Sequence, residues 1–297
     1  MSDVSVSIDN RVRLAAAVLA AGRWPDHEQA QAPHAVHTHA KMTRQYVSDF
    51  ADHPAANTLN ALLESNQLNL DDLFAAVLRS SWPLLEPAET LPDAYTDGEF
   101  LDQLSDFYTD SAVAAFFWSD HKAVWEEAAQ DLEKIFANSK FPAFLDKLLG
   151  RPLARNIVVV PNLSYPTLQS VAVSTTNNLY LILPPPCAYG ESPPWPYRED
   201  PGWVIAQSCY ALTAVLLADT LQGLDSDQQE LLRHAAVTLC LEEMVNEQES
   251  LSYLVRSKKQ HNLPNLPATV EKMRTHLENP NPRSLTNLVI GGKRHRS

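Results

Sequence analysis

Two hydrophobic periods run along this chain, and the place where one gives way to the other divides it. Residues 4–8, VSVSI, alternate strictly between apolar and polar and predict a short strand. Arg11 to Ala21 is an apolar helix, stopped by Gly22 and Pro25. The polar stretch DHEQAQAPHAVHTHA is broken by Pro33 and predicts a loop or a ragged helix. From Lys41 a helical period returns, and MTRQYVSDFADH sets Tyr46 and Phe50 four apart on one face. HPAANTLNALLES is another helix. NLDDLFAAVLRSSWPLL opens with an Asp-rich first turn, which suits the helix dipole, and Pro83 marks its end. From Asp97 to Ala137 two or three further helices are expected. Phe100, Leu104, Phe107 and Tyr108 form one apolar stripe, and Phe116, Phe117 and Val124 belong to the next; both read as core. FPAFLDKLLG, closed by Gly150, is the last helix of this half.

The period then shortens. NIVVVPNL, SVAVS and NLYLILPPP are short, β-branched or alternating runs, expected to form a small antiparallel sheet or meander over about residues 156–184. PPPCAYGESPPWPYREDPG follows and holds seven of the chain's 21 prolines, which makes it an ordered excursion, neither helix nor strand. Trp203 to Leu221 reads as one helix ending near Gly223. SDQQELLRHAAVTLCLEEMVNEQESLSYLVRSKK reads as one long helix with Ser226 as its N-cap, and a last helix opens at Pro267. The expected fold class is therefore α+β, mainly helical, with a small sheet set between a helical N-terminal half and C-terminal helices. It is read as a single domain over 4–278: a helical half at 4–150, then the β segment, Pro-rich loop and later helices at 151–278. A tail follows at 279–297.

An apolar fraction of 45% is enough for a real core. The charge balance, 23 basic against 36 acidic residues for a net −13, argues against a nucleic-acid partner. The basic tail GGKRHRS reads as solvated. Cys187, Cys209 and Cys240 are odd in number and widely spaced, which fits reduced thiols and a cytoplasmic protein. The apolar run near the N-terminus is short and preceded by charges, so it reads as a core helix and not as a leader, and no membrane span is expected.

Candidate chemistry is sparse. No H-E-x-x-H occurs. His27, His34, His37 and His39 lie close in sequence and could hold a transition metal, but Pro33 interrupts any helix beneath them and no carboxylate or thiolate completes the set. They read as a solvated loop. Ser208 and Cys209 sit early in a helix, where the dipole favours a thiolate, and His234 is a base that could approach from the adjacent helix. Small residues at a helix–helix contact explain them more simply. Glu242, Glu243, Glu247 and Glu249 read as a water-facing acidic side, and His234 as a lone structural histidine. The Pro-rich stretch carries Tyr189, Trp195, Tyr197 and Trp203; stiff aromatic loops lose little entropy on binding, so these four are the candidate contact residues.

Several segments, in order, resemble a family of bacterial zincin-like metallopeptidases, domain of unknown function 4932. VSIDNRVRLAAAVLAAGRW is similar to the family's opening strand and helix, and RQYVSDFADHPAANTLNALLE to its aromatic helix followed by "HP". DGEFLDQLSDFYTDSAVAAFFWSDHKAVW resembles its aromatic-rich central segment. FLDKLLGRPLARNIVVVPNLSYP resembles its helix end, strand and asparagine-bearing turn. The likeness covers about Val4 to Leu254. It implies a gluzincin-like fold, with H-E-x-x-H on one helix, a glutamate from a following helix and one zinc. In GWVIAQSCYALTAVLLAD, Asp219 matches the family's terminal aspartate. Gln207 then takes the first ligand position, Ser208 the general-base position and Ala211 the second ligand position; the third ligand falls at Glu230 or Leu231.

The resemblance thus implies a degenerate member, a pseudo-metallopeptidase with no metal and no cofactor. The expected role is non-catalytic binding of a protein or peptide partner, as scaffold, assembly subunit or regulator. The alternative is a hydrolase using a displaced metal site, around Glu230 and His234 or the N-terminal histidines, or a Cys209 or Ser208 nucleophile.

Overall fold

Asp9 begins the helical half: its carboxylate accepts from the Arg11 backbone N–H at 2.9 Å and caps helix α1 (Asn10–Ala21). In this computed structural model, residues 3–31, 33–96, 98–137, 139–164, 169–186, 195–278, 285 and 288 are described. Every residue of α1 from Val12 to Ala21 is buried, as expected of a helix apolar on all sides. Its run of alanines lets α3 (Thr38–Val47), α4 (Pro54–Glu64), α5 (Leu70–Leu78) and α6 (Glu99–Ser111) all pack against it. Gly22 ends it where a Cβ would stand 2.7 Å from Asn60 Oδ1, the atom that accepts from the Arg23 N–H. The stretch expected to be a loop or ragged helix begins as α2 (Trp24–Gln31) and turns irregular beyond Pro33.

Two compact units account for the chain. One comprises residues 5–134 and 158–200, the other residues 1–4, 135–157 and 201–297. In the first, Val12, Val18, Phe74, Phe107 and Phe117 share one core with Val160, Val171 and Ile182. Phe116 leaves that core. A π-helical turn at Ala114–Trp118 follows α6, and it puts Phe116 in solvent, 66% exposed, while Phe117 and Trp118 face inward. The expectation that both phenylalanines are core is corrected by that widened turn. Helix α7 (Lys122–Phe136) follows.

The strands are β1 (Val4–Val6), β2 (Asn156–Pro161), β3 (Val171–Ser174) and β4 (Asn178–Leu183). They form one four-stranded sheet in the order β1-β2-β4-β3. β3 and β4 are an antiparallel pair in which Val171 faces Ile182 and Ser174 faces Leu179. The three runs were expected to make a sheet by themselves. Instead the N-terminal strand joins them, and β4 lies between β2 and β3, so the order is not that of a meander. The fold is α+β and mainly helical.

In the second unit, α8 (Phe141–Leu149) ends at Gly150, whose φ of 63° is the left-handed conformation that suits glycine. The expected helix from Trp203 is α9 (Pro201–Leu216), interrupted before α10 (Ala218–Leu221). The expected long helix is two: α11 (Ser226–Met244) and α12 (Glu247–Gln260). The N-cap of α11 is Asp225, not Ser226. Asp225 accepts from the Gln228 N–H at 2.9 Å and Gln228 Oε1 accepts from the Asp225 N–H at 3.1 Å, a reciprocal box. α11 ends at Val245, and Asn246 caps α12 through the Glu249 N–H. α13 (Leu266–Glu278) is last. α11 is the hub, packed against α8, α9, α12 and α13. The tail from 279 lies outside the described residues apart from Leu285 and Leu288. Among the described residues no helix is long and apolar enough to cross a membrane.

Candidate functional site

The positions that the zincin likeness assigns to chemistry are inside α9. Ser208 is fully buried, and its hydroxyl donates to the Val204 carbonyl at 2.6 Å. Ala211 is buried and carries no donor atom. Gln207 is half-buried. This set does not fit zinc: one position has no ligand atom, and the hydroxyl at the base position is already committed to its own helix. Cys209 is buried beside Cys240, whose thiol is pushed well up, first by burial and then by Cys209. The Cys240 thiol is not disposed to act as a thiolate nucleophile, because burial disfavours the charged form. Cys187 lies outside the described residues.

Glu230, one of the two residues at the expected third-ligand position, has a different setting. It stands on the first turns of α11, where its carboxylate accepts from the Tyr210 hydroxyl at 2.9 and 2.8 Å, one contact to each oxygen. Arg233 approaches Oε1 at 3.3 Å and lays its guanidinium 3.5 Å from the centre of the Tyr210 ring. One turn on, His234 brings Nε2 to 3.2 Å from Oε2. These neighbours hold the Glu230 carboxyl down at about 2; His234 is the largest cause, Tyr210 and Arg233 add to it, and burial opposes them.

His234 is 4% exposed, and its Nδ1 pairs with the Tyr253 hydroxyl of α12 at 2.7 Å. Its Nε2 has no hydrogen-bond partner, since the approach to Glu230 is close but out of line. His261, at the C-terminal cap of α12, is exposed and lies tilted against His234 with ring centres 4.4 Å apart. One ligand atom from each of Glu230, His234 and His261 lies within 4.8 Å of the other two. His234, read from the sequence as alone, is therefore part of a group. The Glu230-x-x-x-His234 spacing was visible in the sequence. His261 was not, because it reaches the group only through the break at Val245 and the return of α12.

The N-terminal histidines do not converge. His37 caps α3 by accepting the His39 N–H at 3.1 Å. His39 is buried, accepts from the Trp125 indole N–H at 2.8 Å and stacks on Phe117. Burial, with nearby His121, His37 and Arg13, holds its imidazole down at about 3, so it stays neutral. His27 pairs with Gln31 on α2. His34 pairs with Gln29 instead. Among the described residues these four do not form a metal-sized group.

The candidate contact residues separate as well. Tyr189 lies outside the described residues. Trp203 is half-buried in the first turn of α9. Tyr197 is almost fully buried, and its hydroxyl donates to the Leu183 carbonyl at 2.6 Å, so it is an anchor and not a free contact. Trp195 is 47% exposed and borders a pocket of about 100 Å³. His37, Asp131, Leu163 and Pro185 line the same pocket. Arg198 bridges Glu127 and Asp131 at 2.7 and 3.0 Å, supplying a counter-charge to the buried Asp131. Comparison with known proteins returns no matching family model, no matching curated protein and no matching solved structure.

Proposed function

We propose that the protein works by binding a protein or peptide partner, as a scaffold, assembly subunit or regulator, with Trp195 at the contact. The zincin likeness is part of this reading, with Gln207, Ser208 and Ala211 standing where an active member would hold metal and base. One observation carries it: Trp195 presents a large exposed indole beside a concave patch, on a segment pinned by Tyr197. An exposed aromatic on a fixed backbone gains contact area at little entropic cost. The buried hydroxyl of Ser208 and thiol of Cys209 support binding over hydrolysis, because neither is placed to meet a substrate.

The test is selection of peptides from a random display library on the immobilised full chain, with the Trp195→Ala chain as counter-target. Peptides that bind the native chain about tenfold or more tightly than the variant, a difference of about 1.4 kcal/mol, support the reading. Peptides that bind both equally remove Trp195 from the contact. Cleavage of the bound peptides by the native chain would overturn the binding reading itself.

A further inference from the structure

We infer that Glu230, His234 and His261 form a binding site for a divalent transition metal of the zinc class, closed by the return of α12 onto α11. The partner contact at Trp195 neither requires this site nor depends on it.

The donor set is one carboxylate and two imidazoles, which suits zinc, cobalt or nickel rather than magnesium or calcium. The spacing fits. Two ligands bound to one zinc at about 2.1 Å in a tetrahedral arrangement stand about 3.4 Å apart. Glu230 Oε2 and His234 Nε2 are 3.2 Å apart, and the whole set lies within 4.8 Å, a span that a small movement of the exposed His261 ring closes.

The second observation is the state of His234. This ring is almost fully buried, yet Nε2 has no hydrogen-bond partner. An unmet buried polar group is costly, and a metal ion at that atom removes the cost. The other ring nitrogen is held by Tyr253. With Nδ1–H donating to the Tyr253 hydroxyl, Nε2 keeps its lone pair for a metal, the arrangement by which outer-shell partners orient a metal-bound histidine. Tyr210 orients the carboxylate in the same way. Exposed His261 provides the entry path and leaves room for water at the remaining position. Arg233 opposes the cation at 3.3 Å from Glu230, so the site takes a metal that bonds to imidazole over one that relies on charge alone.

The experiment titrates zinc into tag-free, chelator-stripped full chain, followed by calorimetry and by elemental mass spectrometry after dialysis. Cobalt, read by its visible spectrum, serves as a second probe. One zinc per chain is expected, weakened tenfold or more by His261→Ala. Tyr253→Phe weakens it about 10- to 100-fold through orientation of His234. His234 is buried, so His234→Ala also costs packing; the exposed His261 variant, checked by circular dichroism, carries the test. No retained zinc overturns the site. Zinc retained equally by the native chain and by His261→Ala also overturns it, because the metal would then be held elsewhere.

Discussion

Two charged side chains, Arg13 in one unit and Glu230 in the other, meet burial in opposite ways. Arg13 is 7% exposed in the middle of α1 and has no carboxylate partner among its described contacts. Its guanidinium lies 4.2 Å from the ring centre of Trp118 and 4.4 Å from that of Trp125, and among the described residues only Asn10 accepts a hydrogen bond from it. Glu230 instead gathers a hydroxyl, a guanidinium and an imidazole around one carboxylate. Both groups are held below their ordinary pKa, Arg13 at about 9 and Glu230 at about 2, and the same direction has opposite meanings. For Arg13, burial disfavours the charged form, and the indole faces are what it has in return. For Glu230, its partners favour the charged form beyond what burial takes away. Aromatic faces hold the buried Arg13, whereas converging polar groups hold the half-buried Glu230.

The largest effect that would break this contrast is at Arg13. Arg13→Ala removes both cation–π contacts and leaves a void between two indoles, an expected loss of roughly 2–4 kcal/mol in urea unfolding. Arg13→Lys should recover only part of that, since an ammonium cannot stack flat. Full recovery by lysine would mean that charge and not shape holds the site. At Glu230 the expected loss is smaller and depends on pH. The folded carboxyl titrates near 2 and the unfolded one near 4.5, so its contribution is complete above about pH 4.5 and disappears as pH falls through about 2. Glu230→Gln should cost about 1 kcal/mol at neutral pH and converge with the native chain at low pH. A constant difference down to pH 2 would show that the carboxylate is not stabilised by its donors. The smallest effect is at Phe116. Replacing this exposed ring by Ser should change stability by less than about 0.5 kcal/mol, whereas Phe117→Ser in the core should cost several times more. Equal losses would show that the π-helical turn does not set the two rings apart.

Local rules carried much of the element pattern. Asn69 and Gly150 stand at helix boundaries for the usual reasons, one accepting from the Asp71 N–H and the other in a left-handed turn. Where local reasoning missed, several local solutions were open. Asp225 and Ser226 are both good caps, each with a glutamine three residues on; Gln229 donates to the Leu221 and Leu224 carbonyls, and the box closes on Asp225 through Gln228. Helical period continues across Val245, yet Asn246 starts a new helix there. Phe116 and Phe117 carry the same local signal and part at a turn that sequence period does not encode. For the candidate site, Glu230 and His234 were legible as neighbours on α11, while Tyr210, Tyr253 and His261 come from other elements.

By itself the sequence determined the mainly helical α+β class, the change of period at the strands and the absence of an H-E-x-x-H motif. Those depend on side-chain type and on spacing within one element. Only the tertiary structure decided that β1 joins the later strands, that Tyr197 is an anchor while Trp195 is exposed, and that His261 returns to His234. Each of these is a meeting of residues distant in the chain, fixed by how buried faces pack, and no local period records which faces will meet.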